Sequence, residues 1–275
     1  MYTALSPGAL GMSVGSLKEG IALAASAGYG GLEISIHEVQ SLIASEGAAA
    51  VRTLFDGAGV KPAAWGLPVA WSGPEEEWKQ GIEALKGYAA AAEALGCDRT
   101  MTWILSGSND RTFEQNLAFH VERFTPIAAV LNDHGVRLGL EFLGPQTIYK
   151  GFAHRFVHTM AGMLEMGDQI GPNVGLLLDC WHWYTAGGTL EELAKLDQKR
   201  VVYVHVNDAP VGVALEDHID NQRGLPGATG VIDLPGFLRA LDGIGYDGPV
   251  TPEPFGNPAT WAADALRGVW AKAGL

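Results

Sequence analysis

Apolar residues along this chain fall into two alternating patterns. One is a short, nearly unbroken run of roughly four to eight residues, and the other is a longer stretch in which apolar positions return at helical spacing. The segment VGLLLDCWHWY, residues 174–184, shows the first most clearly: Val174, Leu176, Leu177 and Leu178 lie together with no polar alternation. Such a run reads as a strand covered on both faces, and therefore as part of a parallel sheet. Similar runs recur near 8–14, 32–36, 60–67, 99–104, 136–142, 174–179, 201–206 and 249–253, which predicts eight strands.

The stretches between them open with helix-start signals. Ser16 precedes Glu19 by three residues, Thr112 precedes Gln115, Thr189 precedes Glu192, Pro74 leads into Glu75, Glu76 and Glu77, and Asp233 stands before Pro235; each pairing supplies acceptors, acid or a fixed φ to a helix N-terminus. Glycines 28, 59, 96, 135, 171 and 245 each close a helical pattern and precede an apolar run, which predicts left-handed C-terminal caps. This rhythm is that of repeated βα units. Eight of them in 275 residues predict a single α/β domain over 1–275, a (β/α)8 TIM barrel. The rival doubly wound sheet is disfavoured because Gly8 and Gly11 lack the spacing of a dinucleotide fingerprint.

Composition narrows the function. The 18 basic and 31 acidic residues leave a net charge of −13, which repels polyanions and argues against nucleic acid as a partner. Cys97 and Cys180 offer no disulfide framework, no signal-like leader is evident, and no apolar run has membrane-spanning length. A cytoplasmic protein with no membrane partner is expected. Assembly into a homo-oligomer is left open.

The candidate chemistry lies at the C-terminal ends of the last four strands. Glu141 ends the fifth, Asp179 the sixth, His205 lies on the seventh and Glu253 ends the eighth. Any one of these acids alone reads most simply as a cap or loop anchor, and a lone strand histidine as a core residue. Four together, at the end where this fold places its sites, point to one divalent metal ion. Three carboxylates and an imidazole suit Mn²⁺ first, with Mg²⁺, Co²⁺ and Zn²⁺ as alternatives. Strand alternation turns Cys180 away from Asp179 and returns Asn207 to the inner face beside His205. Glu33 is open to two readings, a paired acid at the barrel base or a substrate contact. Trp65, Trp71, Trp103, Trp181, Trp183 and Phe255 offer flat walls for a sugar, half or more of them being equally suited to the core. Lys150, His154, Arg155 and His158 gather basic groups in one loop, read chiefly as solvated charge and secondarily as an anion contact.

The ordered set Glu141, Asp179-x-x-His182, His205-x-Asn207-Asp208, Arg223-x-x-Pro226-Gly227 and Glu253 resembles the xylose isomerase-like TIM barrels. It is most similar to the sugar isomerase and epimerase branch with tagatose 3-epimerase, hydroxypyruvate isomerase and inosose-processing enzymes. The resemblance spans almost the whole chain and implies that Glu141, Asp179, His205 and Glu253 bind one metal, that His182 and Arg223 contact substrate oxygens, and that the two glutamates act as acid and base. The implied reaction is isomerisation or epimerisation of a ketose, keto-sugar or sugar-phosphate-like substrate by proton transfer through a metal-bound enediolate, with no organic cofactor. The segment LGPQTIYKGFAHRFVH departs from the epimerase branch, which carries a second acid there. An inosose-type dehydratase uses the same parts and is the alternative. An endonuclease IV-type phosphodiesterase would need extra histidines that the third and fourth strands lack, and a sugar-binding barrel would not need both glutamates.

Overall fold

The structure, a computed structural model, describes residues 1–275. Eight parallel strands close on themselves: β1 (Tyr2–Leu5), β2 (Gly31–Glu33), β3 (Lys61–Gly66), β4 (Arg99–Ile104), β6 (Arg137–Phe142), β8 (Val174–Asp179), β9 (Val201–Val206) and β10 (Pro249–Pro252), in the order β1-β10-β9-β8-β6-β4-β3-β2. A separate antiparallel pair, β5 (Gly107–Ser108) and β7 (His154–Arg155), links the loops after β4 and β6. Every residue of β8 and β9 is buried, as expected of strands with helices outside and side chains inside. The (β/α)8 barrel is therefore the fold.

Two local expectations fail. The first strand is Tyr2–Leu5 rather than 8–14, because Pro7 adopts helical angles and Gly8–Leu10 form a 3-10 turn ended by the left-handed Gly11. A four-residue strand whose Tyr2 and Thr3 are only half buried carries too little apolar pattern to announce itself. Gly171, with φ 175°, is extended rather than left-handed. The capping boxes at Thr112 and Thr189 form in full, whereas at Ser16 the Glu19 carboxylate accepts from Gly15 instead of from the cap residue.

The barrel interior below the mouth is filled by Ala4, Ala63, Ala64, Met101, Leu177 and Tyr203. Small residues on β1 and β3 and a large one on β9 make the floor uneven, and Tyr203 rises beneath His205 with ring centroids 5.2 Å apart. Register fixes which groups share a level: Glu141 pairs with Trp103 across β6 and β4, and Asp179 pairs with His205 across β8 and β9. No helix is long and apolar enough to cross a membrane.

Candidate active site

Each candidate ligand owes its position to a strand end. Asp179 closes β8 and at once becomes the N-cap of the helix Cys180–Thr185, its carboxylate accepting from the Trp181 N–H at 2.7 Å. Asn207 Nδ2 also donates to it, at 3.3 Å. Three residues on, in the same short helix, His182 returns to the side of Asp179, Nε2 lying 3.9 Å from Oδ2. The Gly144 N–H donates to His182 Nδ1 at 3.2 Å, so the neutral ring carries its hydrogen on Nε2, on the side of Asp179 and Arg223. This approach requires a glycine, since a Cβ at 144 would lie 2.1 Å from the His182 carbonyl oxygen. Glu253 follows β10 directly, its N–H donating to the Val206 carbonyl at 3.0 Å.

The structure brings Glu141, Asp179, His205 and Glu253 together, with one donor atom from each all lying within 4.8 Å of one another. Atoms bound at about 2.0–2.4 Å to a common ion can be separated by at most about 4.8 Å, so the spacing fits a single divalent cation. Unsatisfied groups agree. Neither ring nitrogen of His205 nor Oε1 of Glu141 has a hydrogen-bond partner, although all three atoms are buried, and such orphans need a ligand or solvent to offset their desolvation. His205 Nδ1 stands 3.3 Å from Glu253 Oε2 and 3.7 Å from Glu141 Oε1. No second group of this kind is present, and His218 stacks edge-on against Trp181 instead.

Arg223 reaches the cluster from the loop after β9. Nη1 donates to Asp179 Oδ2 at 2.7 Å and to Glu253 Oε2, while Nη2 donates to Asp220 Oδ1 and lies 3.1 Å from His182 Nε2. The loop is held by Asp208, whose carboxylate accepts from the N–H groups of Ala209, Thr229, Gly230 and Ile232, and by a bridge between Asp208 and Gly224. Two residues before Arg223, Asn221 has φ 67°, the only left-handed non-glycine residue in the chain. Asn tolerates that conformation better than most side chains, and the turn directs the guanidinium inward. Asn221 and Gly144 escaped sequence reading because their roles depend on backbone geometry, and Asp220 because only the folded turn brings its carboxylate to Arg223.

Burial and charge divide the titrating groups. Burial raises the Glu141 carboxyl, only partly opposed by His205. Burial likewise holds Asp179 well above the usual carboxylate range, against the pull of Arg223. For Glu253 burial acts upward but the charges of His205 and Arg223 outweigh it, leaving the group below its ordinary value. His205 is disfavoured as a cation by burial, yet Glu253 and Glu141 hold it well above 6.5. His182 is pushed down to about 3 by burial and then by Arg223.

Glu33 ends β2 at the mouth, not at the base, and lines a cavity of about 320 Å³ with Glu141, His205 and Glu253. Trp103 and Phe255 line the same cavity and are 55% and 46% exposed. Trp65, Trp181 and Trp183 belong to the core instead. The basic loop points elsewhere: His154 and Arg155 form β7, Arg155 stacks on Tyr149, and neither Lys150 nor His158 lines the mouth.

The chain matches the xylose isomerase-like TIM barrel family over residues 21–273. It belongs to that family. An inosose isomerase of Halalkalibacterium halodurans is 30% identical over 207 residues, covering 71% of this chain and 67% of the relative. Among solved structures, a xylose isomerase domain protein from Alicyclobacillus acidocaldarius superimposes over the full length of both chains with a TM-score of 0.88 and 30% identity. The IOLI protein, crystallised with a bound zinc atom, matches with a TM-score of 0.76 at 23% identity, covering 99% of this chain and 98% of that one. The chain is thus an enzyme of the xylose isomerase-like barrels, of sugar isomerase or epimerase type.

Proposed function

We propose that this xylose isomerase-like barrel is a divalent-metal-dependent isomerase or epimerase of an inosose or related keto-sugar, with Mn²⁺ the best match to its ligands. The observation that carries the reading is the convergence of Glu141 and Glu253 on His205 Nδ1 at one barrel mouth, together with relatives named inosose isomerase. Glu141, Asp179, His205 and Glu253 would hold the ion. When bound, it polarises a carbonyl and the adjacent hydroxyl, acidifying the C–H between them.

The protein's own groups then move the proton. One glutamate takes it from the carbon beside the carbonyl, and the electron pair moves onto the carbonyl oxygen, giving an enediolate. The other glutamate, protonated beforehand, delivers its proton either to the opposite face of the same carbon, which inverts it, or to the former carbonyl carbon, in which case the adjacent hydroxyl proton passes to the former carbonyl oxygen and the carbonyl moves by one carbon. His182 Nε2 and Arg223 Nη2 lie 3.1 Å apart, so a substrate oxygen gaining charge beside the pair would accept from both. Floor residues exclude water from beneath the reacting carbon.

The test is incubation of the Mn²⁺-loaded protein with a panel of inososes and ketoses in heavy water. Deuterium entering the carbon beside the carbonyl, together with a new isomer, is the expected result, and chelation should stop it. Absence of incorporation across the panel would overturn the reading. A conjugated product formed with loss of water would assign the dehydratase alternative.

A further inference from the structure

A second cavity of about 400 Å³ opens beside the mouth, between the end of β4, the segment 105–111 and the helix Phe113–Asp133. The two cavities adjoin, since Thr102 and Trp103 form a wall common to both. Trp103 pairs in register with Glu141, so its indole stands on the same side of the sheet as the proposed acid–base pair. At 55% exposure it is a large apolar face left uncovered at the junction.

The lining has a definite chemistry. Trp71, Phe119 and Phe152 join Trp103 as aromatic walls, and Asn109, Asp110 and Arg111 supply planar polar groups at one edge. The Arg111 guanidinium lies over the Phe119 ring, 3.9 Å from its centroid, and a stacked guanidinium keeps its N–H edges free to donate. Charges at that edge cancel, one acid against one base, and burial pushes His120 in the wall down to about 4, so it is uncharged at neutral pH. The segment is also built rather than slack. Ser108 Oγ accepts from the N–H groups of Asp110 and Arg111 at 3.2 and 3.1 Å, Asn109 Oδ1 accepts from Ala153 N–H at 3.0 Å, and Gly107–Ser108 pair with His154–Arg155.

A pyranose ring has this complementary pattern, with C–H faces that pack on an aromatic plane and a girdle of hydroxyls that donate to Asp or Asn and accept from Arg. The mouth cavity lies at the lower end of the range of about 300–1,000 Å³ found for small-molecule pockets and suits one ring; the neighbouring space is surplus to it. We propose that this second cavity binds a hexose-sized, uncharged glycosyl group, so that the substrate is a keto-sugar or inosose bearing a glycosidic substituent. The identity of the reacting ring rests on the isomerase reading above, but binding at the second cavity does not.

The experiment is calorimetry on the Mn²⁺-loaded protein with cellobiose, maltose and trehalose, using glucose and myo-inositol as single-ring controls. At least one disaccharide should bind about tenfold more tightly than glucose, the gain expected from one additional ring stacked on an aromatic wall. Arg111→Ala and, separately, Phe152→Leu should each reduce that preference severalfold, with melting temperatures recorded to verify folding. Disaccharides binding no better than glucose, or variants weakening both classes equally, would overturn the proposal. Isotope exchange with single-ring substrates but no disaccharide preference rejects this site alone; disaccharide preference without exchange rejects the isomerase reading alone.

Discussion

The two halves of the barrel rim differ in kind. From β6 through β8 and β9 to β10, consecutive strands present carboxylate, carboxylate, imidazole and carboxylate, with Arg223 laid across them. From β1 through β2 and β3 to β4, the rim presents small residues, the exposed Trp103 and, among acids, Glu33. Charge that is expensive to bury is concentrated where strands are fully enclosed and the groups neutralise one another, while the open half keeps apolar faces and hydrogen-bonding groups. On the proposed reading, bond making belongs to the first arc and recognition of shape to the second.

The hardest test of that division is removal of the charged oxygens. Glu141→Gln and Glu253→Gln should each lower kcat by about 10²–10⁴-fold, the usual worth of a general acid or base, while metal content measured by atomic absorption falls much less. Activity retained in both variants would break the comparison at its strongest point. Next is Arg223→Ala. It leaves Asp179 and Glu253 without their buried partner, so in the metal-free protein stability should fall by about 3–5 kcal/mol in urea titration, and Mn²⁺ should restore part of the loss by occupying the same carboxylates. Equal losses with and without metal would show that the arginine acts independently of that cluster.

On the aromatic side the expected effect is a pH dependence. His120 donates from Nδ1 to the Asn116 carbonyl at 2.7 Å, and burial lowers its pKa to about 4. Because the folded value lies below the unfolded one, the unfolded chain takes up a proton first as pH falls. Stability is therefore full above pH ~6.5 and declines by about 3 kcal/mol as pH drops through ~4. His120→Gln, which cannot titrate, should flatten that part of the profile relative to wild type; identical slopes would remove His120 as the cause. The smallest effect belongs to Glu33→Gln. Loss of one carboxyl oxygen at the mouth should raise KM by about fivefold, some 1 kcal/mol, with kcat little changed. A fall in kcat instead would move Glu33 into the reacting arc.

Seven of the eight strands and the four clustered side chains were legible because they depend on pattern and position: an apolar run, then a ligand at its end. The first strand was not, because Tyr2–Leu5 is held by pairing with β10 and β2 rather than by its own pattern. Glu33 was ambiguous because β2 is three residues long, and strand length decides whether a residue lies at the base or the mouth. Trp65 and Trp103 read alike in sequence, yet one is fully buried and the other half exposed. The salt-bridge network of Arg223 could be inferred only as a substrate contact, since the turn at Asn221 that directs it inward leaves no apolar signature.

The carboxylate of Asp208, saturated by four backbone N–H groups, has a kinetic corollary. A loop anchored in this way holds Arg223 in place before any substrate arrives, so the β9 side of the mouth behaves as a fixed wall rather than a moving lid. Traffic of reactant and product is then confined to the rest of the rim, past Trp103 at the end of β4 and Phe255 just beyond β10, and turnover should follow solvent viscosity only if passage across those two rings is slower than the proton transfers behind them.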